Sequence, residues 1–336
     1  MTQPTRNYCA IFDKNYLLQG LTLYRSLVRH EPNFRLYCLC MDAEAAELID
    51  SMGIGNLFAV PVNSLETPEI AKARSRMTHG QFCWTCQPLV CAYLLEAKQL
   101  DMITYLEADS MFFGSAEPLY RELGSDSATI VPHRFSKRYD MESSGGTYCV
   151  QFNLFRNDAR SREILDYWKK ECYKYDKSRP GLYPGQVCLD YFTTRFQGVR
   201  VIENIGAGIA PWNVHNYAFT KRGDAVEVDG IPAIFFHYHE FSHLTNGGYL
   251  LAAHFQLPPD VIEFFYKPYI AELRATQEWI NEFDPTFHYR KQQEDESTTF
   301  KALVKSKLPP DIWNFFRRKW KKDYVVLRDL PTAERS

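Results

Sequence analysis

The sequence contains no long hydrophobic run, no internal repeat and no low-complexity tract. No apolar stretch approaches the roughly 18 residues that a transmembrane helix needs, and the first residues lack the charged-then-apolar pattern of a signal peptide. Charge of one sign is also lacking, because 39 Lys and Arg residues oppose 41 Asp and Glu residues, a net charge of −2. A nucleic-acid binder is usually strongly basic, so we expect a cytoplasmic protein without a nucleic-acid partner.

The composition is that of a large globular chain. Of its 336 residues, 45% are hydrophobic and 24% are charged, which excludes a disordered or coiled-coil protein and favours two domains, or one domain with an extension. Nine cysteines in a chain of this length do not indicate a disulfide scaffold, and reduced thiols are the simplest interpretation. The Cys83 and Cys86 pair has zinc-ligand spacing, but the nearest second pair, Cys38 and Cys40, lies within a predicted strand, so core cysteines are favoured.

Strand and helix patterns alternate through the first hundred residues. Apolar runs predict strands at 8–12, 35–40, 57–62 and 102–106, and helical spacing predicts helices from Tyr16, at 43–52 and at 88–100. This order is typical of an α/β fold, a mostly parallel sheet with helices on both faces. Ligands of such sheets bind at the carboxyl ends of the strands, which places Asp13 and the segment 107–109 at the same edge.

The second half of the chain is more mixed. Strand-like runs at 147–155, 199–203 and 231–236 accompany a helical pattern at 162–175, and helices with polar linkers follow from about residue 246. We therefore predict an α/β domain over 1–245 and a helical C-terminal extension over 246–336.

The last part of the extension combines aromatic and basic residues. The segment 312–322 contains Trp313, Phe315, Phe316 and Trp320 beside Arg317, Arg318, Lys319, Lys321 and Lys322. Such a segment suits an anionic membrane surface, where each basic residue contributes about 1 kcal/mol. The alternative is a helix that docks its aromatic residues on the first domain.

The most informative stretch is acidic. Glu107 and Asp109 directly follow the predicted buried strand at 102–106. Both carboxylates cannot enter the core, because burying an ionised group costs several kcal/mol. A carboxylate pair at a strand end suits a hard divalent cation that also binds phosphate oxygens. The alternative, which spacing alone favours, is a polar turn with a capping Asp.

Six separated motifs add a resemblance. They are FDKNY (12–16), FCWT (82–85), TYLEAD (104–109), HRF (133–135), APWN (210–213) and FHYH (236–239). In this order they resemble a bacterial family of nucleotide-sugar glycosyltransferases with the GT-A fold, related to glycosyltransferase family 8. The resemblance covers residues 7–243 and implies a GT-A nucleotide-sugar transferase domain with a Rossmann-like sheet.

The resemblance implies that the first strand and the turn after it hold the nucleotide base, through Ala10, Asp13 and Tyr16. In this turn Tyr16 would flank a uracil and Asp13 would accept its imide proton. The residues by themselves favour a different interpretation, in which Asp13 caps a helix and Tyr16 belongs to the core.

The resemblance also implies a divalent metal, Mn²⁺ or Mg²⁺, that bridges the two phosphates of the donor. The family's Asp-x-Asp becomes Glu107 and Asp109 here, and the longer Glu107 would act through water or toward the ribose. A histidine ligand from a late strand end corresponds to His237. His239 is the alternative, since an extended segment puts both imidazoles on one face.

Further contacts with the donor are implied for Arg74, Trp212 and Asn213. Lys72 and Arg76 are alternatives to Arg74, and all three basic residues would equally suit a solvated helix face. Trp212 would stack on a sugar ring and Asn213 would bind a hydroxyl. The alternative for Trp212 is a side chain that seals the core.

The resemblance implies transfer with retained configuration, with Gln186 and Asp190 as the catalytic residues. Three residues depart from the family pattern. Gly185 stands where the family has Asp, and Cys149 and Gln151 stand where it usually has Asn and Gly. These departures predict an altered donor sugar or acceptor.

The sequence therefore predicts a metal-dependent hexosyltransferase that moves a sugar from a UDP-sugar to a glycan or lipid-linked acceptor at the inner face of a membrane. The alternative is a catalytically silent scaffold that binds nucleotide sugars, which the changes at Glu107 and Gly185 motivate. A nucleotidyltransferase is disfavoured, because Asp13-Lys14-Asn15 replaces its glycine-rich basic loop.

Overall fold

The computed structural model describes residues 4–139, 141–179, 183–245 and 247–289, together with the backbone of 292–293 and 326–327. The basic and aromatic segment 312–322, for which the sequence predicts membrane contact, lies outside the described residues. No helix in the described ranges is long and apolar enough to cross a membrane.

The secondary structure elements are numbered here in chain order. The strands are β1 (Arg6–Phe12), β2 (Phe34–Cys40), β3 (Leu57–Pro61), β4 (Met102–Leu106), β5 (Ser110–Phe112), β6 (Ala128–Pro132), β7 (Tyr148–Cys149), β8 (Phe152–Arg156), β9 (Val199–Val201), β10 (Phe219–Arg222), β11 (Ala225–Val228), β12 (Ile231–Pro232), β13 (Phe235–His237), β14 (Ser242–Leu244), β15 (Tyr249–Leu250), β16 (Gln292–Gln293) and β17 (Val326–Leu327). The α-helices are α1 (Leu17–His30), α2 (Ala43–Met52), α3 (Pro68–Arg74), α4 (His79–Ala97), α5 (Glu117–Leu123), α6 (Glu142–Gly145), α7 (Ala159–Cys172), α8 (Pro184–Val187), α9 (Phe192–Arg195), α10 (Pro259–Val261) and α11 (Lys267–Phe283).

The central sheet has the strand order β3-β2-β1-β4-β8-β6-β7, with β9 beside β6. Strands β1 to β4 run parallel to one another, as the alternating sequence pattern predicts. Beyond β4 the sheet is mixed, because β8 is antiparallel to both β4 and β6. The carboxyl ends of β1 and β4 therefore lie side by side, and Asp13 and Glu107 follow them at one edge.

A small second sheet closes over this edge. Strand β13 pairs antiparallel with β5, with His237 opposite Ser110. The N–H of Tyr238 donates to the carbonyl oxygen of Asp109 at 2.8 Å. This pairing brings the late strand end against the acidic turn, although more than a hundred residues separate them in the chain.

Helix α4 begins at His79, which corrects the start at Pro88 that the sequence predicts. Thr78 and Gln81 form a reciprocal capping box at its first turn. Pro88 lies inside the helix and has no N–H, so the carbonyl of Trp84 loses its helical partner. The Sγ of Cys172 lies 3.9 Å from that carbonyl oxygen and donates to it.

Two runs predicted as single strands are each divided. The run 147–155 forms β7 and β8 around a turn that contains Gln151. The run 231–236 forms β12, which pairs with β11, and the start of β13, which pairs with β5. The second break falls at Ala233 and Ile234, which are apolar, so hydrophobic periodicity carries no signal of it, whereas the first contains the polar Gln151.

The described part of the C-terminal extension packs on the α/β layer. Residues of α11, including Tyr269, Ile270 and Leu273, belong to the same hydrophobic core as residues of β1 and α1. Arg25 of α1 also contacts Glu272 of α11, with 2.6 Å between Nε and Oε1. Burial of this apolar face is what holds the helix against the sheet domain.

Candidate active site

A cavity of about 880 Å³ opens at the carboxyl edge of β1 and β4. The turn after β1, the first half of α4, the acidic turn after β4, helix α8 and the end of β13 contribute to its wall. The structure brings seven of the predicted site residues to this wall: Asp13, Tyr16, Glu107, Asp109, Gln186, Trp212 and His237. Ala10, Arg74, Asp190 and Asn213 are not among the described residues that line it.

Asp109 and His237 form an ion pair in the cavity wall, with 3.2 Å between Oδ1 and Nε2. Burial opposes the charge on Asp109, but the neighbouring imidazolium of His237 outweighs it and lowers the pKa of the carboxyl group. Burial likewise disfavours the imidazolium, and the negative charge of Asp109 nevertheless raises the pKa of His237 well above its ordinary value. Each residue therefore stabilises the charged form of the other.

The other ring nitrogen of His237 faces Gln151. The Nδ1–H of His237 donates to Oε1 of Gln151, at 3.2 Å. Gln151 is fully buried in the turn between β7 and β8. A hydrogen bond at Nδ1 orients the ring, so that Nε2 is the ring nitrogen that faces Asp109. Gln151, a departure from the family pattern, thus positions the predicted metal-binding histidine.

Glu107 differs from Asp109 in its environment. Burial, followed by repulsion from Asp109, raises the pKa of Glu107 to about 8. The Nε2 of Gln87 on α4 donates to Oε1 of Glu107 at 2.9 Å. Glu107 is therefore tied to α4, while Asp109 is tied to β13.

The donor atoms of Asp109 and His237 fit a divalent cation as a pair of adjacent ligands. Ligands about 2.1 Å from an octahedral ion lie about 3 Å from each other, close to the observed 3.2 Å between Oδ1 and Nε2. The bond from His237 to Gln151 is the kind of outer contact that metal-binding histidines require. Within the described residues, no group of three His, Cys, Asp or Glu side chains is spaced to hold an ion.

Asp13 closes the turn before α1 and faces the cavity. Its Oδ1 accepts the N–H groups of Asn15 and Tyr16 at 2.9 and 3.2 Å. Helix α1 begins at Leu17 and has no side-chain cap, so the capping interpretation is wrong. The Oδ2 of Asp13 lies 3.0 Å from Nε2 of His79.

Trp212 is buried beneath the imidazoles. Its ring meets those of His133, His237 and His239 edge to face, with ring centroids 5.3, 5.3 and 5.4 Å away. Its Nε1–H donates to the carbonyl oxygen of His133 at 2.8 Å. These contacts correspond to the core-sealing alternative, with an edge of the ring reaching the cavity wall.

Two predicted site residues outside the cavity wall, Asn213 and Asp190, form hydrogen bonds with backbone groups. The Nδ2 of Asn213 donates to the carbonyl oxygens of His133 and Gly208, at 2.9 and 2.8 Å. The carboxylate of Asp190 accepts the N–H of Thr147 at 2.8 Å. Asp190 therefore fixes the chain that enters β7.

The other two predicted site residues outside the cavity wall, Ala10 and Arg74, lie in different surroundings. Ala10 is fully buried in the middle of β1, within the hydrophobic core. The guanidinium of Arg74 lies over the ring of Phe82, 4.8 Å from its centroid, where a cation–π contact forms.

Close packing around position 185 leaves no space for a side chain larger than that of glycine. A Cβ at this position would lie 2.7 Å from Sγ of Cys172 and 3.0 Å from the ring of Tyr175. The position therefore faces α7 rather than the cavity, and an Asp there would have no space. Its neighbour Gln186 does reach the cavity, where Nε2 donates to the carbonyl oxygen of Gly145 at 2.7 Å. The change at Gly185 consequently removes no carboxylate from the cavity.

Three residues that were not predicted from the sequence form a polar row on the cavity side of α4: His79, Cys83 and Gln87. These residues recur every four positions, and the Thr78 capping box marks the helix start just before them. Both signals are present in the sequence. They were not used because the helix was expected to start at Pro88, after these residues.

Comparison with solved structures identifies the architecture. The structure superposes on the galactosyltransferase LgtC, in complex with donor and acceptor sugar analogs, with a TM-score of 0.53. The match covers 80% of this chain and 95% of LgtC at 14% sequence identity. The fold is that of the GT-A glycosyltransferases. This confirms the predicted fold class.

Sequence comparison adds two relatives from Bacillus subtilis strain 168. YfnD is 26% identical over 291 residues, which cover 84% of this chain and 92% of YfnD. YfnF is 28% identical over 245 residues, which cover 70% of this chain and 81% of YfnF. Both carry the description "uncharacterized protein". No family model matches the chain.

Proposed function

We propose that the protein is a glycosyltransferase that moves a sugar from a nucleotide-diphosphate donor, a UDP-sugar, to a glycan or lipid-linked acceptor. The Asp109–His237 pair carries this proposal, because it lies in the wall of a large cavity at the carboxyl edge of a GT-A sheet. Ligands of open α/β sheets bind at this edge. A carboxylate and an imidazole side by side suit a cation that accompanies a diphosphate.

Different residues of the chain would bind the metal and the base of the donor. Asp109 and His237 would hold Mn²⁺ or Mg²⁺, and Gln151 would keep the imidazole in orientation. Bound there, the metal would neutralise the charge that develops on the leaving diphosphate. Tyr16 in the turn after β1 would flank the base.

The reacting sugar belongs on the side of α8. Gln186 presents its amide to the cavity and is held by the carbonyl of Gly145. Asp190 would act on the reaction only indirectly, since its carboxylate holds the backbone that leads into β7. Retention of configuration remains part of the proposal and rests on the family resemblance alone.

The test is calorimetric titration of UDP into the protein, with Mn²⁺ or with EDTA. We expect UDP to bind at least tenfold more tightly in Mn²⁺, because two protein ligands and the diphosphate would share the ion. ADP and GDP serve as comparison ligands. Equal UDP affinity in Mn²⁺ and EDTA would contradict the metal site. In a separate activity assay, formation of product from any donor would exclude the silent scaffold.

A peripheral membrane location remains part of the proposal and rests on the sequence of the tail. Its aromatic and basic residues would bind anionic lipid, with about 1 kcal/mol from each basic residue near the surface. We expect the full chain to co-sediment with anionic liposomes and deletion of 309–336 to abolish this. Co-sedimentation that survives the deletion would reject membrane anchoring by the tail.

A further inference from the structure

Helix α4 presents two adjacent rows of side chains to the cavity. In the first row His79 lies 3.0 Å from Asp13, and Gln87 donates to Glu107 at 2.9 Å. This row therefore faces the turn after β1 and the acidic turn, where the nucleotide and metal are proposed to bind. The second row is one position further along the helix and consists of Gly80 and Trp84.

The second row faces a different element. The ring of Trp84 lies 5.6 Å from that of Tyr175 and 5.5 Å from that of Tyr183, between centroids. Tyr183 directly precedes α8, which carries Gln186. The aromatic cluster therefore lies on the side of the cavity away from the contacts of the first row.

Trp84 is the most exposed tryptophan among the residues that the structure describes. Trp84 and Tyr183 are 38% and 39% exposed, whereas Trp168 and Trp212 are 0% and 4% exposed. Tyr175 is buried behind Trp84 at 3% and supports it. Two rigid aromatic rings, backed by a third and open to a cavity, offer apolar area that a ligand can cover.

The surroundings define the chemistry of that ligand. The cavity-wall residues of this second row, its aromatic neighbours and α8 carry no formal charge: Gly80, Trp84, Tyr175, Tyr183 and Gln186. Apolar rings with a few oriented polar groups suit a neutral molecule with one apolar face and several hydroxyls. A pyranose has this shape, since its axial C–H groups form an apolar face and its hydroxyls lie at the rim.

There is also space for a ring. A Cβ built on Gly80, one turn before Trp84, would meet no atom within 4 Å. The cavity is therefore open beside the indole, and a side chain at position 80 would enter that space without displacing protein atoms.

We propose that Trp84 and Tyr183 form a stacking platform for a neutral pyranose ring of the acceptor. The proposal rests on the proposed function, since it assigns the second substrate to the same cavity. Separate rows of α4 then serve the two substrates. The first row lies along the nucleotide and the second row lies beneath the acceptor.

The experiment measures two ligands on the same variants. Saturation-transfer NMR with methyl glycosides of glucose, galactose, mannose and N-acetylglucosamine reports pyranose binding, with and without UDP and Mn²⁺. Calorimetry reports UDP binding. The variants are Trp84→Ala, Trp84→Phe and Gly80→Leu, and Tyr191→Ala is the control because Tyr191 is 56% exposed but lies outside the described cavity wall.

We expect at least one glycoside to bind, and Trp84→Ala to weaken it about tenfold, the size of an aromatic stacking contact. Trp84→Phe retains most of the affinity. Gly80→Leu blocks the glycoside by filling the space beside the indole. None of these changes alters UDP affinity, and Tyr191→Ala alters neither ligand.

Three results would overturn the platform. The first is that no glycoside binds the wild type. The second is that the wild type, Trp84→Ala and Gly80→Leu bind the glycoside equally well, and the third is that Trp84→Ala loses UDP binding. The last result would assign the rings to the nucleotide. If UDP fails to bind the wild type while glycoside binding depends on Trp84, the platform stands and the proposed function fails.

Discussion

Asp109→Asn is expected to lower the rate of sugar transfer by about 100- to 1,000-fold, the range for loss of one preorganised electrostatic contact. Asparagine preserves the shape of the side chain and removes its charge. The cation then loses its anionic protein ligand and keeps the imidazole of His237. This loss falls on the group proposed to neutralise the leaving diphosphate.

The measurement is product formation by mass spectrometry with a panel of UDP-sugars and glycan acceptors. Asp176→Asn is the matched control, because the same chemical change then falls on a surface carboxylate that bonds to Ser178. Thermal unfolding of both variants checks that the fold is kept. Transfer by Asp109→Asn at a rate within threefold of the control would remove this residue from the proposed metal site.

Arg6→Met is expected to lower the free energy of unfolding by about 3–5 kcal/mol, as removal of one partner from a buried ion pair does. Arg6 at the start of β1 is 7% exposed and pairs with Glu31 at the end of α1, whose side chain is 1% exposed. Glu31 also accepts the N–H of Ala116 at 2.7 Å. Without Arg6, the carboxylate stays buried with no cation beside it.

Urea denaturation followed by circular dichroism measures this effect. The control is Arg200→Met, since Arg200 pairs with Asp126 at 2.8 Å but its side chain is 50% exposed, and such a pair is worth less than about 1 kcal/mol. Arg6→Met combined with Glu31→Leu should recover part of the loss, because no charge is then left buried. Equal losses for Arg6→Met and Arg200→Met would show that the pair does not act as a buried one.

The alternating sequence pattern was sufficient to predict the strands of the parallel half of the sheet. Apolar runs separated by helical spacing predict β1 to β4, and buried parallel strands are the elements whose pattern is most continuous. From that order alone, Asp13 and Glu107 were expected at one edge, and the structure has them there. The GT-A fold class followed from the resemblance carried by six motifs between residues 12 and 239, and it is confirmed.

The positions of several site residues depended on contacts distant in sequence. Gly185, which stands where the family has Asp, faces Cys172 of α7, which occupies the space where a side chain would be. Trp212 was expected to have one of two roles, and three histidines around its ring decide for the buried one. Periodicity reports which face of an element is apolar, but not which other element covers it.

By itself, the sequence determined the order of the elements, the parallel strands and the residues that follow them, because these depend on local spacing and on burial of apolar faces. Tertiary structure decided which of those residues meet. Antiparallel pairing of β13 with β5 brings His237 to Asp109, and the turn after β7 places Gln151 behind the imidazole. Such pairings depend on hydrogen bonds and packing between distant segments, which no local pattern encodes.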